Sequence, residues 1–223
     1  SMAQFTEATG RPYGLIDCYQ MEDAEVCIIG IGSMIETTTT VIDDLRAEGR
    51  KVGCIHVTCY RPFPGAELAA AVANCKAVAV LERMDDPMAE SNPLTAEFKA
   101  ALVDAMQGMP GFSTLEKMPT VHSGSYGLGS RDITSGDIAA IYDLLESDAA
   151  PRYFSIGINH PTALAPVSGL DGRLPMPGLV PGDGTRRRRS SPRRGPRLAS
   201  FGRDHDRSTS TRQSCGLPDH GAR

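Results

Sequence analysis

The chain has 223 residues, of which 40% are hydrophobic, and its formal net charge is −4 at pH 7. This length allows one or two domains with a substantial apolar core, and no apolar run approaches the roughly 18 residues of a membrane span. The N-terminal residues lack the basic and apolar regions of a secretory signal. We therefore expect a cytoplasmic protein.

The net charge conceals two unlike segments. Residues 1–165 carry a net charge of −11 and all of the lysines, whereas residues 166–223 carry a net charge of +7. The second segment contains four consecutive arginines at 186–189 and almost no apolar periodicity, which is typical of a disordered chain. We therefore predict a folded domain at 25–165 and a disordered, arginine-rich tail at 166–223.

The first elements can be predicted from a short stretch near the N-terminus. Residues 1–24 are predicted to be a linker, because Gly10–Gly14 has the composition of a turn. Val26–Gly30 is a continuous apolar run, as expected of a parallel strand that is covered on both faces. Ser33 and Glu36 have the spacing of a capping box, which predicts that a helix begins at this point.

Strands and helices are predicted to alternate after the first helix, which should run from about Met34 to Glu48. Asn92 with Pro93, and Thr134 with Asp137, give the starts of two later helices. The other predicted elements are strands at Val52–Thr58, Ala77–Leu81, Thr120–His122 and Tyr153–Ile158, and a helix at Ala66–Asn74. This order predicts an α/β fold with an open, mostly parallel sheet and helices on both faces.

Five residues mark a candidate ligand or interface edge of that sheet. Gly32 and Ser33 form the turn after the first strand, and Arg61, Arg83 and Arg131 follow later strands or lie in nearby loops. In open α/β sheets this edge is where ligands meet the domain. Three arginines are able to hold a phosphate or a carboxylate, but arginine is also common at subunit contacts, and both interpretations stay open.

No catalytic or metal-binding residue is predicted. The histidines have no metal-ligand spacing, and no two of the six cysteines form a C-x-x-C pair. The turn at Gly30–Gly32 lacks the third glycine of a dinucleotide-binding fingerprint. Gly182–Gly184 (Gly-Asp-Gly) opens the pattern that holds magnesium and thiamine diphosphate, but the asparagine that closes this pattern is absent, so we interpret the match as chance.

Several motifs nevertheless resemble those of one enzyme family, the pyruvate:ferredoxin (flavodoxin) oxidoreductases and related 2-oxoacid:ferredoxin oxidoreductases. The resemblance is to their second domain and covers about residues 9–165, but none of the tail. The motifs that carry it are TGRPYGL at 9–15, EDAEV at 22–26, GIGS at 30–33, KVG at 51–53, YRPFP at 60–64, KAVAVLER at 76–83 and YGLGSRDIT at 126–134.

The resemblance implies a domain fragment with a fold similar to the C-terminal domain of transketolase. Residues 1–24 would then be the linker from a missing preceding domain. The parent enzyme would use thiamine diphosphate, magnesium and iron–sulfur clusters to convert a 2-oxoacid and coenzyme A into acyl-coenzyme A, with ferredoxin or flavodoxin as partner. This chain would bind none of these cofactors alone, would be inactive alone, and would contact other domains or subunits of the oxidoreductase.

The tail gives rise to an alternative from another functional class. A free-standing α/β binding module could use its positive charge to bind nucleic acid or another polyanion. Phe201 is the only aromatic residue of the tail, so a platform for base stacking is missing and nucleic acid is the less favoured partner. The abrupt excess of Arg, Gly and Pro also matches GC-rich codons read out of frame, so a frameshift or misjoined exon is a further explanation.

Overall fold

The computed structural model describes residues 2–11, 13–147 and 150–157. The strands of this part are β1 (Ile16–Tyr19), β2 (Val26–Gly30), β3 (Val52–Val57), β4 (Ala77–Glu82), β5 (Thr120–Ser125) and β6 (Tyr153–Ser155). The helices are α1 (Met2–Thr9), α2 (Met34–Ala47), α3 (Gly65–Ala71), α4 (Pro93–Met106) and α5 (Ser135–Leu145), with a 3-10 turn at Leu128–Ser130.

The strands form one sheet in the order β1-β3-β2-β4-β5-β6. Strands β2 to β6 are parallel to one another, and β1 pairs with β3 in the antiparallel direction. Every residue of β2 and β4 is buried, as expected of central strands covered on both faces. The prediction of an open, mostly parallel α/β sheet is confirmed.

Two apolar layers flank the sheet because successive side chains of each strand point to opposite faces. Ile28 belongs to the layer that contains Tyr142 of α5. Its neighbour Ile29 belongs to the other layer, with Leu68 of α3 and Phe98 of α4. Helices therefore cover both faces, and all five of these side chains are completely buried.

The N-terminal segment differs from the linker that the sequence predicted. It contains α1 and β1, and Ile16 to Tyr19 pair with Val57 to Cys54 at one side of the sheet. Arg46 of α2 fixes the end of β1, since one of its nitrogens donates to the carbonyl of Gln20 at 2.6 Å. A four-residue strand with one polar side chain has little pattern of its own, so its pairing depends on β3.

The helix starts are placed as predicted, but only one of the predicted caps forms. Thr134 and Asp137 make both hydrogen bonds of a capping box at the start of α5. Ser33 has helical dihedral angles (φ −66°, ψ −20°) and makes no capping hydrogen bond, so the predicted box with Glu36 is wrong. Asn92 is extended but also makes no capping bond, because its side chain is used elsewhere.

The predicted arginine-rich tail at 166–223 and the Gly182–Gly184 match lie outside the described residues. Within the part of the chain that the structure describes, no helix has the length and apolarity needed to cross a membrane. The predicted end of the last strand at Ile158 also falls outside this part, in which β6 ends at Ser155.

Candidate functional site

The five candidate residues all follow strands at one edge of the sheet, which we call the carboxyl edge because the parallel strands end there. Gly32 and Ser33 follow β2, Arg61 follows β3, Arg83 follows β4, and Arg131 follows the 3-10 turn after β5. The connections that follow β2 and β4 lead away in opposite directions, to β3 and to β5. Such a divergence is where open α/β sheets form a crevice.

The turn after β2 is held by contacts to the neighbouring strands. Gly32 has a φ of +90°, a conformation that favours glycine. Its N–H donates to Nε2 of His56 at 3.3 Å, and the hydroxyl of Tyr126 donates to the carbonyl of Ile31 at 3.5 Å. The turn therefore connects β3 with the segment that follows β5, while Ser33 stays exposed.

Arg61 is already paired with a carboxylate of its own chain. Its guanidinium binds the carboxylate of Glu97 in α4 through two hydrogen bonds, at 2.9 and 2.5 Å, and lies 4.1 Å from the centre of the Tyr60 ring. The bond to Glu97 raises the pKa of Arg61, and burial, followed by the charge of Glu97, raises the pKa of Tyr60. A ligand would have to compete with Glu97 for this arginine.

Arg83 and Arg131 are held less firmly. Nε of Arg83 donates to the carbonyl of Gly127 at 3.4 Å, and a Cβ atom at Gly127 would lie 2.8 Å from this nitrogen, so only glycine permits the approach. The side chain of Arg131 packs beside Gly157. Neither arginine makes an ion pair within the described residues, which leaves two positive charges for a ligand or a neighbouring protein surface.

A buried carboxylate that the sequence analysis missed caps α4. Glu82, at the end of β4, is 8% exposed. Its oxygens accept from the backbone N–H of Leu94 at 2.8 Å, from that of Thr95 at 3.1 Å and from the Thr95 hydroxyl at 3.0 Å. A carboxylate at a helix N-terminus satisfies amides that have no partner within the helix and interacts favourably with the helix dipole.

Asn92 connects the β4–α4 loop to β5 and β6. Its Oδ1 accepts from the Asp86 N–H at 3.0 Å and from the Tyr153 hydroxyl at 2.9 Å, and its Nδ2 donates to the Ser125 hydroxyl at 3.0 Å. Tyr153 also approaches Asp85 to 2.5 Å, and burial and Asp85 together raise its pKa. Asn92 marks a helix start in the sequence, but Ser125 and Tyr153 are 33 and 61 residues away and give no local signal.

A cavity with a volume of about 660 Å³ lies at the opposite edge of the sheet. Glu25, Lys51 and Lys76 line it, and both lysines form ion pairs with Glu25, which lower the pKa of that carboxyl group. His122 also lines it, with Nδ1 placed 2.7 Å from the carbonyl of Pro151. The charges in this cavity are thus largely compensated.

The described residues do not group into a site for the magnesium ion or the iron–sulfur clusters that the resemblance implies for the parent enzyme. Among them, no three His, Cys, Asp or Glu side chains are grouped so that they could hold a metal ion. Cys27 is completely buried, and burial raises the pKa of its thiol, which disfavours the thiolate that a metal or iron–sulfur cluster requires.

Comparison with known proteins agrees with this fold and these motifs. The profile of the family described as pyruvate:ferredoxin oxidoreductase core domain II matches residues 24–138. The pyruvate-flavodoxin oxidoreductase of Trichormus variabilis is 37% identical over 159 residues, which are 71% of this chain and 13% of that protein.

This chain matches a larger share of two further relatives. A pyruvate-flavodoxin oxidoreductase of Nostoc sp. is 36% identical over 160 residues, which are 71% of this chain and 37% of the relative. The pyruvate synthase subunit PorA of Methanothermobacter thermautotrophicus is 37% identical over 138 residues, which are 62% of this chain and 32% of that subunit. This chain thus spans well under half of each relative, and it belongs to the pyruvate:ferredoxin oxidoreductase core domain II family.

Proposed function

We propose that this chain is a non-catalytic structural and assembly domain of a 2-oxoacid:ferredoxin or flavodoxin oxidoreductase. The parent enzyme oxidatively decarboxylates a 2-oxoacid, such as pyruvate, to acyl-coenzyme A in the cytoplasm and passes electrons to ferredoxin or flavodoxin. Thiamine diphosphate, magnesium and iron–sulfur clusters belong to other parts of that enzyme. Membership of the domain II family and the small share of each relative that is matched support this proposal.

The composition of the carboxyl edge is the observation that carries the proposal. Two polar side chains of this edge, Glu82 and Asn92, are buried and bonded to the backbone or to neighbouring side chains. Three exposed positions near this edge hold large apolar side chains: Ile31 is 42% exposed, Met84 37% and Met88 93%. Together with Arg83 and Arg131, which make no ion pair among the described residues, this pattern resembles protein interfaces, in which Arg and Met are enriched.

Met88 is exposed on a loop that is firmly held. The N–H of Met88 donates to Oδ1 of Asp86 at 3.1 Å, and the N–H of Asp86 donates in turn to Asn92. Placing an apolar side chain in water costs free energy unless a partner covers it, and a pre-formed loop loses little entropy when it docks. We therefore assign the carboxyl edge to contact with the other domains or subunits of the oxidoreductase.

A chimera tests the proposal. The matched region of the Trichormus variabilis enzyme is replaced by residues 9–165 of this chain, and pyruvate-dependent reduction of a viologen dye is measured with coenzyme A. We expect the chimera to assemble and to turn over, and we expect the isolated chain, supplied with thiamine diphosphate and magnesium, to show no turnover. Activity of the isolated chain would contradict the non-catalytic role, and a chimera that does not assemble would contradict the assembly role.

The alternative of a polyanion-binding module depends on the arginine-rich segment, which lies outside the described residues. It stays a prediction that filter binding at two salt concentrations can test, because binding to phosphates weakens steeply with salt. Equal binding by the full chain and by a chain that ends at residue 165 would exclude it.

A further inference from the structure

A groove between α3 and α4, away from the contacts of Met88 and Arg83, has the form of a second docking surface. Its volume is about 470 Å³, and Phe63 and Phe112 contribute to its lining. Both rings are half-buried against the apolar layer on that face of the sheet. The two helices approach closely at Gly65, where an added Cβ atom would lie 3.0 Å from that of Ala101.

Carboxylates surround this apolar floor. Glu67 of α3 and both Glu97 and Asp104 of α4 line the groove, and we call this arrangement the acidic groove. Glu97 and Asp104 are seven residues apart and so lie on one face of α4, separated by two turns or about 10 Å along the helix. The carboxylates of Glu67 and Asp104 have no hydrogen-bonding or charged partner within the described residues, which leaves two negative charges uncompensated there.

Glu97 shows how a carboxylate of this groove binds a cation. Arg61 of the same chain binds it with both terminal nitrogens, and the side chain of Arg61 remains 59% exposed. Planar, two-point pairing of this kind is the strongest arrangement for a guanidinium and a carboxylate. The motif Arg61-Pro62-Phe63-Pro64 thus supplies both the bound arginine and one aromatic ring of the floor.

We propose that the acidic groove docks a cationic segment from another part of the same oxidoreductase. The segment places a Lys or Arg side chain between Glu67 and Asp104 and an apolar side chain against Phe63 and Phe112. Charge complementarity selects the cation, and the aromatic floor selects the apolar neighbour. This inference rests on the proposed function, because the docked segment would come from a part of the oxidoreductase that this chain does not match. The matched part is 37% of the Nostoc sp. relative and 13% of the Trichormus variabilis enzyme.

Charge reversal in the chimera tests the docking. The Glu67→Lys and Asp104→Lys double variant is compared with a control, Asp44→Lys and Glu116→Lys, which reverses two exposed carboxylates elsewhere. We expect the groove variant to lower the Tm of the chimera by about 3 °C or more relative to the control, a shift that weak charge contacts can produce. In the isolated chain, where nothing is docked, both double variants should melt within about 1 °C of each other.

The outcomes separate this inference from the proposed function. If the native chimera assembles but the groove variant melts like the control, the docking proposal is wrong and the assembly role stands. If the groove variant destabilises the isolated chain as much as the chimera, the carboxylates serve the fold of the domain itself, and the docking proposal is again wrong. A native chimera that does not assemble overturns both.

Discussion

The buried carboxylate of Glu82 is the most consequential single group at the carboxyl edge. It replaces the local cap that a serine or asparagine side chain usually provides for a helix. Its three acceptor bonds join the end of β4 to the start of α4. The position of the exposed β4–α4 loop, and therefore of Met88, depends on this junction.

Replacing Glu82 by Gln should lower the free energy of unfolding by about 2 kcal/mol. The amide keeps the shape, but it has one oxygen and turns a donor towards the N–H or hydroxyl groups of the helix start, where a charged acceptor contributes about 1.5–3 kcal/mol. Urea unfolding at pH 7 measures the loss. Glu116→Gln, at an exposed position, serves as the control and should change stability by less than about 0.5 kcal/mol.

Tyr142 gives a prediction that depends on pH. Its hydroxyl donates to the carbonyl of Gly53 at 2.9 Å inside the core, and burial raises the pKa of this phenol well above its ordinary value. Above a pH of about 10 the unfolded phenol loses its proton while the folded one keeps it. The folded state then binds more protons, so its stability falls as the pH rises.

Tyr142→Phe should therefore cost about 1–2 kcal/mol at pH 7, from the lost hydrogen bond, and less above pH 10. Chemical unfolding of the native chain and the variant between pH 7 and pH 11 measures the difference. A constant difference across this range would show that ionisation of Tyr142 does not contribute. Tyr13→Phe, at a position 51% exposed, is the control.

At the scale of elements, α2 and α5 begin with similar sequences but different caps. The Thr134 hydroxyl accepts from the Asp137 N–H at 3.2 Å, whereas Ser33 is already helical and makes no such bond. The side chain of a residue with helical backbone angles does not reach the free amides of the first turn, because an N-cap residue needs extended backbone angles. The same motif therefore contributes differently to the stability of the two helices.

Thr134→Ala should consequently destabilise the chain by about 1 kcal/mol, and Ser33→Ala by much less. The two variants are matched in chemistry and position, so each is the control for the other. Thermal unfolding of both, followed by circular dichroism, measures the difference. Equal losses would mean that Ser33 caps α2 in solution.

At the scale of the whole molecule, substitution of Arg83 and Arg131 can show whether the carboxyl edge binds a ligand or another domain. Both are replaced by Ala in the chimera with the Trichormus variabilis enzyme. If the edge contacts another domain, the assembled fraction or the Tm should fall while KM for pyruvate and coenzyme A stays within about twofold. A tenfold rise in either KM, about 1.4 kcal/mol of binding, with unchanged assembly would instead assign the arginines to a ligand.

The sequence by itself determined the sheet interior and the order of helices and strands from β2 onwards. Val26–Gly30 and Ala77–Leu81 consist only of apolar or small residues. Strands of this composition are stable only when helices cover both faces of the sheet. The start of α5 was also determined locally, because Thr134 and Asp137 are three residues apart. The family followed from short motifs such as YRPFP, which need no tertiary information.

Only the tertiary structure decided which polar groups meet. Asn92 bonds to Tyr153, 61 residues away, and Glu82 meets a helix start 12 residues later. Strand β1 joins the sheet because β3 offers it an unpaired edge, although its own four residues have no strong pattern. These features depend on free backbone groups and side chains brought together by folding, and local periodicity contains no information about them.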